Sequence, residues 1–139
     1  MSKRIVRNIF ENVNDENIAL TSEISTELSY KDLKLFIDKI SKQLAGNGLS
    51  NKDRAAIVLP NGPCMASSFL AISSYMSAAP LNPSYKSEEY EFYLKDLNPK
   101  IVLVEKNSEN PVVDVAKKLK IELCEICLLY TSDAADESD

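Results

Sequence analysis

Read as apolar and polar positions, the chain divides into short segments of distinct period. Residues 1 to 17 are polar and rich in asparagine, with Ile5, Ile9 and Phe10 as the apolar exceptions; they predict a short surface helix and a loop. "NIALTSEISTELSY" holds two short alternating stretches around a polar turn, the pattern of a hairpin. Ser29, three residues before Asp32, opens a helix in the manner of a capping box. Leu33, Phe36, Ile37, Ile40 and Leu44 then lie on one helical face, and "GNG" at Gly46 to Gly48 supplies the left-handed stop.

From there the pattern changes to continuous apolar runs separated by amphipathic stretches. "AAIVLP" (55–60), "APLNP" (79–83), "KIVLVE" (100–105) and "IELCEI" (121–126) predict strands. The strongest runs have no polar face, as expected of parallel strands covered on both sides. Between them, helices are expected over about Pro63 to Ala78, from a Ser87 cap to "NP" at Asn98–Pro99, and over "NPVVDVAKKLK" (110–120). Tyr90, Tyr93, Leu94 and Leu97 are the expected buried face of the second. The order β, α, β, α, β, α, β with short loops predicts an α/β fold: a partial, Rossmann-like parallel sheet with flanking helices and an N-terminal hairpin.

Composition adds few constraints. The 139 residues are 45 % apolar and 27 % charged, with net charge −5, which suits one soluble globular domain. Four of the acids, Asp133, Asp136, Glu137 and Asp139, sit in the last residues. The remainder carries 17 acids against 16 bases, so no basic stripe marks a nucleic-acid partner. The weakly polar stretch 64–79 is shorter than a membrane span and carries five serines, so a buried helix is expected and no span. There is no secretory signal pattern at the start, and a cytoplasmic location is expected.

The candidate chemistry is sparse. The chain has no histidine, which removes the commonest general base and metal ligand. "CEIC" (Cys124 to Cys127) is a lone CxxC that closes a strand, whereas a redox motif opens a helix and zinc wants four ligands. "GNGLS" follows a helix, so it is a helix stop and no dinucleotide fingerprint. "PNGP" (60–63) stands in the right topological place for a phosphate loop, but one glycine between prolines makes a turn and no nest. The serines at 67, 68, 73, 74 and 77 lack a G-x-S-x-G setting. Glu88, Glu89 and Glu91 read as a charged first helical turn. Tyr75, Tyr85, Tyr90 and Tyr93 read as core or rim, with a pocket lining as the alternative. No catalytic, cofactor-binding or metal-binding residue is assigned.

Taken in order, "LSYKDL" (28–33), "NKDRAAIVLPNGP" (51–63), "APLNPSY" (79–85) and "EFYLKDLNPKIVLVE" (91–105) resemble a known family. The chain is similar to the N-terminal subdomain of the AMP-forming acyl-CoA synthetases, the adenylate-forming ligases, nearest to the oxalate and medium-chain branch. Ser29-Tyr30, Lys52-Asp53-Arg54, Leu59-Pro60-Asn61, Pro80 to Pro83 and Glu91 to Leu94 carry the likeness, which covers roughly residues 18 to 126. Lys52 stands where the family usually has glycine, Ala56 where it has valine, and Cys64 where an acid is frequent. The resemblance implies a parent that joins a small-molecule carboxylic acid to coenzyme A through an acyl-adenylate, using ATP and magnesium. The phosphate loop, the ribose-binding acid and the catalytic lysine of that family lie downstream and have no counterpart here. A fragment that is inactive alone and binds none of these cofactors is therefore expected; a small stand-alone α/β ligand-binding module is the alternative. The expected divisions are an extension (1–17), a partial ligase domain (18–126) and a tail (127–139). The tail, "CLLYTSDAADESD", continues no helical or strand period, and resembles an in-frame translation of a sequencing adapter; it is expected to be non-native.

Overall fold

The computed structural model describes residues 6–21 and 27–126. A short 3-10 turn (Val6–Phe10) leads into an antiparallel hairpin of β1 (Ile18–Thr21) and β2 (Glu27–Ser29). Helix α1 (Tyr30–Gly46) begins where Ser29 Oγ accepts the Asp32 N–H at 3.1 Å. It ends in a Schellman arrangement: the N–H of Leu49 bonds Leu44 O and that of Gly48 bonds Ala45 O, with Gly48 at φ +82°.

The alternating part follows as β3 (Arg54–Val58), α2 (Pro63–Ser73), β4 (Ser77–Pro80), α3 (Ser87–Leu97), β5 (Ile101–Glu105), α4 (Val112–Lys118) and β6 (Glu122–Ile126). The last four strands form one all-parallel sheet in the order β4-β3-β5-β6, as the α/β pattern predicts.

Several boundaries differ from the sequence-based expectation: the strand expected at 79–83 is Ser77–Pro80 and the helix expected over 110–120 is Val112–Lys118, and two further differences have a clear physical cause. Helix α2 stops at Ser73 instead of running on to Ala78. The hydroxyls of Ser73 and Ser74 bond back to the carbonyls of Phe69 and Leu70, and Ser77 to Pro80 then pair with Arg54 to Ile57. Small residues suit a helix and a strand alike, so the pattern had no edge there. In α3, Lys86 and not Ser87 occupies the cap position. The Glu89 carboxylate accepts the Lys86 N–H at 2.9 Å, so the acid closes the turn that serine was expected to close. Tyr93 remains partly exposed at 38 %, while Tyr90 and Leu94 are buried. A step of three from Tyr90 carries Tyr93 to the edge of the apolar face.

Sheet topology dictates where the helices lie. The step from β3 to β4 runs one way across the sheet, and the next two crossovers run the other way. Right-handed connections place helices from opposite steps on opposite faces. Accordingly α2 packs on the face bearing Ala55, Ile57, Leu59, Ile101 and Leu103. Helices α3 and α4 pack on the face bearing Ala56, Val58, Val102 and Val104. The first face is therefore covered by α2 together with the C-terminal half of α1. A third cluster joins Phe10, Leu33, Ile37 and Ala71, which anchors the N-terminal turn to α1 and α2. Among the described residues no helix is long and apolar enough to cross a membrane. The 127–139 tail lies outside the described residues.

Candidate functional site

Ligands of open α/β sheets bind where loops from neighbouring strands leave for opposite faces. Here β3 feeds α2 on one face and its neighbour β4 feeds α3 on the other. Between them opens a cleft of about 390 Å³, lined by Leu59, Asn61, Met65, Leu81, Asn82 and Ser84 with Pro80 and Pro83.

The floor of the cleft is tightly held. The Leu81 N–H bonds Ile57 O at 2.8 Å, which extends the β3–β4 pairing into the loop. Ser84 N–H closes on Asn82 Oδ1 at 2.8 Å. From beneath, the buried Tyr90 donates its hydroxyl to Asn82 O at 2.8 Å, and Asn110 Nδ2 donates to Pro83 O at 2.8 Å. Asn110 also accepts the Val112 N–H through Oδ1 at 2.9 Å. One amide thus ties the β4–α3 loop to the start of α4. Tyr85 stacks on Tyr93 at 5.1 Å between centroids and meets Tyr90 edge-on at 5.6 Å.

No ionisable side chain lines this cleft. Burial pushes the Tyr90 hydroxyl above its ordinary pKa, with hydrogen bonds from Asn110 and Tyr85 acting the other way. Tyr85 is raised chiefly by its hydrogen bond with Tyr93. Both are neutral at physiological pH, so neither is a base. The cleft can hold an uncharged, partly apolar group by shape and by neutral amides and hydroxyls. It has nothing with which to neutralise a triphosphate. Among the described residues no three His, Cys, Asp or Glu side chains come together to hold a metal ion. The donor set present therefore does not fit a magnesium–nucleotide complex, and no step through one is assigned to this chain.

The other residues singled out from sequence do not converge. Gly62 sits at φ +144° with open space around it and turns the chain into α2. Ser67 donates to Cys64 O at 3.2 Å. Glu89 caps α3, whereas Glu91 binds Lys95 and Lys118, each at 2.9 Å, so the three acids of the first turns form no cluster. Tyr75 donates to Leu49 O, remote from the other tyrosines. Burial and the charge of Glu122 raise the Cys124 thiol above its ordinary pKa, the opposite of what a redox thiol needs; its CxxC partner Cys127 lies outside the described residues. Asn110 escaped sequence reasoning. Its position before Pro111 was the available signal, because an Asx side chain there commonly bonds the backbone two residues on.

A second concavity, an apolar groove of about 220 Å³, runs between α1, α2 and the β5–β6 part of the sheet. Ser68 lines it, 1 % exposed, and its Oγ has no hydrogen-bond partner among the described residues.

Comparison with known proteins gives these features a family. A model described as AMP-binding enzyme matches residues 10–139. Oxalate–CoA ligase of Arabidopsis thaliana is 35 % identical over 105 residues, covering 74 % of this chain and 20 % of the relative. Oxalate–CoA ligase of Saccharomyces cerevisiae is 30 % identical over 103 residues, covering 69 % of this chain and 19 % of the relative. The chain thus spans about a fifth of the length of these curated relatives. Among solved structures, apo MatB from Rhodopseudomonas palustris superposes with a TM-score of 0.76 at 21 % identity, over 95 % of this chain and 27 % of that one. MenE from Bacillus subtilis, an o-succinylbenzoate CoA synthetase solved with its acyl-adenylate OSB-AMP, gives 0.73 at 21 % identity, over 86 % and 30 %. These structures share the parallel α/β fold. The chain belongs to the AMP-binding enzyme family.

Proposed function

We propose that this chain is an N-terminal portion of an ATP-dependent acid–thiol ligase and serves in it as scaffold. The parent activates a small carboxylic acid as acyl-adenylate and passes the acyl group to a thiol, coenzyme A in the relatives named as CoA ligases. ATP and magnesium are used by the parent, in the cytoplasm, without a nucleic-acid partner. The observation that carries this reading is the family match over residues 10–139 combined with a length of about a fifth of the relatives. The uncharged cleft supports the corollary that the portion alone activates nothing: attack on an α-phosphate needs charge placed to neutralise it, and the cleft offers none.

The test is ATP–pyrophosphate exchange. The 139-residue chain is expected to show none with oxalate or any medium-chain acid, while the parent does. Exchange by the short chain alone refutes the scaffold reading.

A second reading, a self-sufficient α/β binding module, draws on the formed cleft of about 390 Å³ at the ends of β3 and β4. It requires a stoichiometric nucleotide or flavin that raises the melting temperature of the isolated chain.

A further inference from the structure

The "PNGP" turn between β3 and α2 carries a chemistry of its own. An asparagine followed by glycine can react with the chain: the glycine nitrogen attacks the side-chain amide carbon and closes a five-membered ring, and glycine has no Cβ to obstruct the approach. The chain holds two such pairs, Asn47-Gly48 and Asn61-Gly62. Asn82, Asn98 and Asn110 each precede proline, whose nitrogen has no proton to give up, so that route is closed to them.

The structure separates the two pairs, although both are exposed. Gly48 N–H donates to Ala45 O at 3.1 Å in the stop of α1, so its nitrogen is engaged. Gly62 is the cap residue of α2. The N–H of a cap residue lies ahead of the helix's own hydrogen bonds, and its usual partner is an acid or amide side chain three residues on. At α3 that partner is present, because Glu89 accepts the Lys86 N–H at 2.9 Å. At α2 the equivalent residue is Met65, which has neither group. Neither the Gly62 N–H nor the Asn61 amide has a hydrogen-bond partner among the described residues. Gly62 also has open space around it.

We propose that Asn61 is a site of spontaneous deamidation that places a carboxylate in the cleft between β3 and β4. The Gly62 nitrogen gives its proton to hydroxide and bonds to Asn61 Cγ. The Cγ–Nδ2 bond breaks, and the nitrogen departs as ammonia with a proton from water. Water then adds to either carbonyl of the cyclic imide and opens it to aspartate or isoaspartate. The net change is amide plus water to carboxylate plus ammonium, with no oxidant or enzyme. Asn61 lines a cleft that holds no ionisable side chain, so the product converts a neutral cleft into an anionic one. The new charge stands just ahead of the N-terminus of α2, where the helix dipole favours it. This inference is read from the chain alone and holds whether or not the parent is a ligase.

The test ages the 139-residue chain in native buffer and in urea and maps deamidation by peptide mass spectrometry. The product carries one more negative charge than the −5 of the starting chain, so anion exchange isolates it. In native buffer Asn61 is expected to convert at least about fivefold faster than Asn47, the factor that one net hydrogen bond supplies. The rate should rise with pH, because the Gly62 nitrogen must lose its proton. In urea, where the stop of α1 is gone, the two rates should converge. Met65→Gln supplies the missing capping amide and should slow Asn61 in native buffer. Asn47, protected only while α1 is folded, shows that the variant retains its fold. Native conversion of Asn47 as fast as that of Asn61, a ratio that urea leaves unchanged, or a folded Met65→Gln chain that deamidates like wild type overturns the proposal.

Discussion

Glu91 is the residue whose electrostatics are most sharply defined. Its two carboxylate oxygens bind Lys95 on its own helix and Lys118 on α4, which lowers its pKa from 4.5 to about 2, the Lys95 hydrogen bond contributing most. A depressed carboxylate pKa stabilises the fold above the unfolded value, and that contribution is lost as pH falls through the folded one. The stability difference between wild type and Glu91→Gln should thus be constant above pH 5, shrink as pH falls from 4.5 towards 2, and diminish in high salt. Urea melts across that range check it. The effect is small, because both lysines are largely in solvent. At this scale the sequence was partly legible. Tyr90 and Leu94 were visible as core from spacing alone. The Lys118–Glu91 and Asn110–Pro83 contacts were not, since each joins residues 27 apart whose meeting depends on how α3 and α4 pack.

Among the elements, α1 was readable to the residue. Its cap and stop are local devices, Ser29 at one end and Gly48 at the other. The two glycines near its end make a discriminating pair. Gly46 is helical and Gly48 stands at φ +82°, and neither has an atom near the site of an added Cβ. Gly46→Ala should stabilise by about 0.5–1 kcal/mol through helix propensity. Gly48→Ala should cost about 1–2 kcal/mol through left-handed strain. Chemical denaturation of the two variants measures both, and equal signs would contradict the assigned conformations. The α2–β4 junction was illegible for the converse reason. Ser73 to Ala79 contains no glycine, proline or charge, so only pairing with β3 marks where helix gives way to strand.

At the scale of the whole molecule, the parallel sheet followed from the apolar runs, whereas its strand order, β4-β3-β5-β6, was not legible in them; once that order is known, handedness places each helix on its face. The candidate cleft was legible as a place, the ends of β3 and β4, but its neutrality emerged only when the loop folded over Tyr90. The 127–139 tail, proposed as non-native although the family match extends to Asp139, makes a prediction here. Removing it should leave the melting temperature unchanged, and the genomic codons after Ile126 should spell a different continuation. A drop of several degrees, or genomic codons that encode the tail, would refute it. The apolar groove between α1, α2 and the β5–β6 part of the sheet, uncovered among the described residues, also has a consequence in time. A ribosome adds about 5–20 residues per second, so in a long parent the first fifth emerges well before the rest. Until the rest is made, the nascent chain carries that oily slot beside a strand, β6, that pairs on one side alone among the described residues, the kind of surface that holdase chaperones grip. Expression of such a ligase should therefore be limited by how soon its early half-sheet is closed.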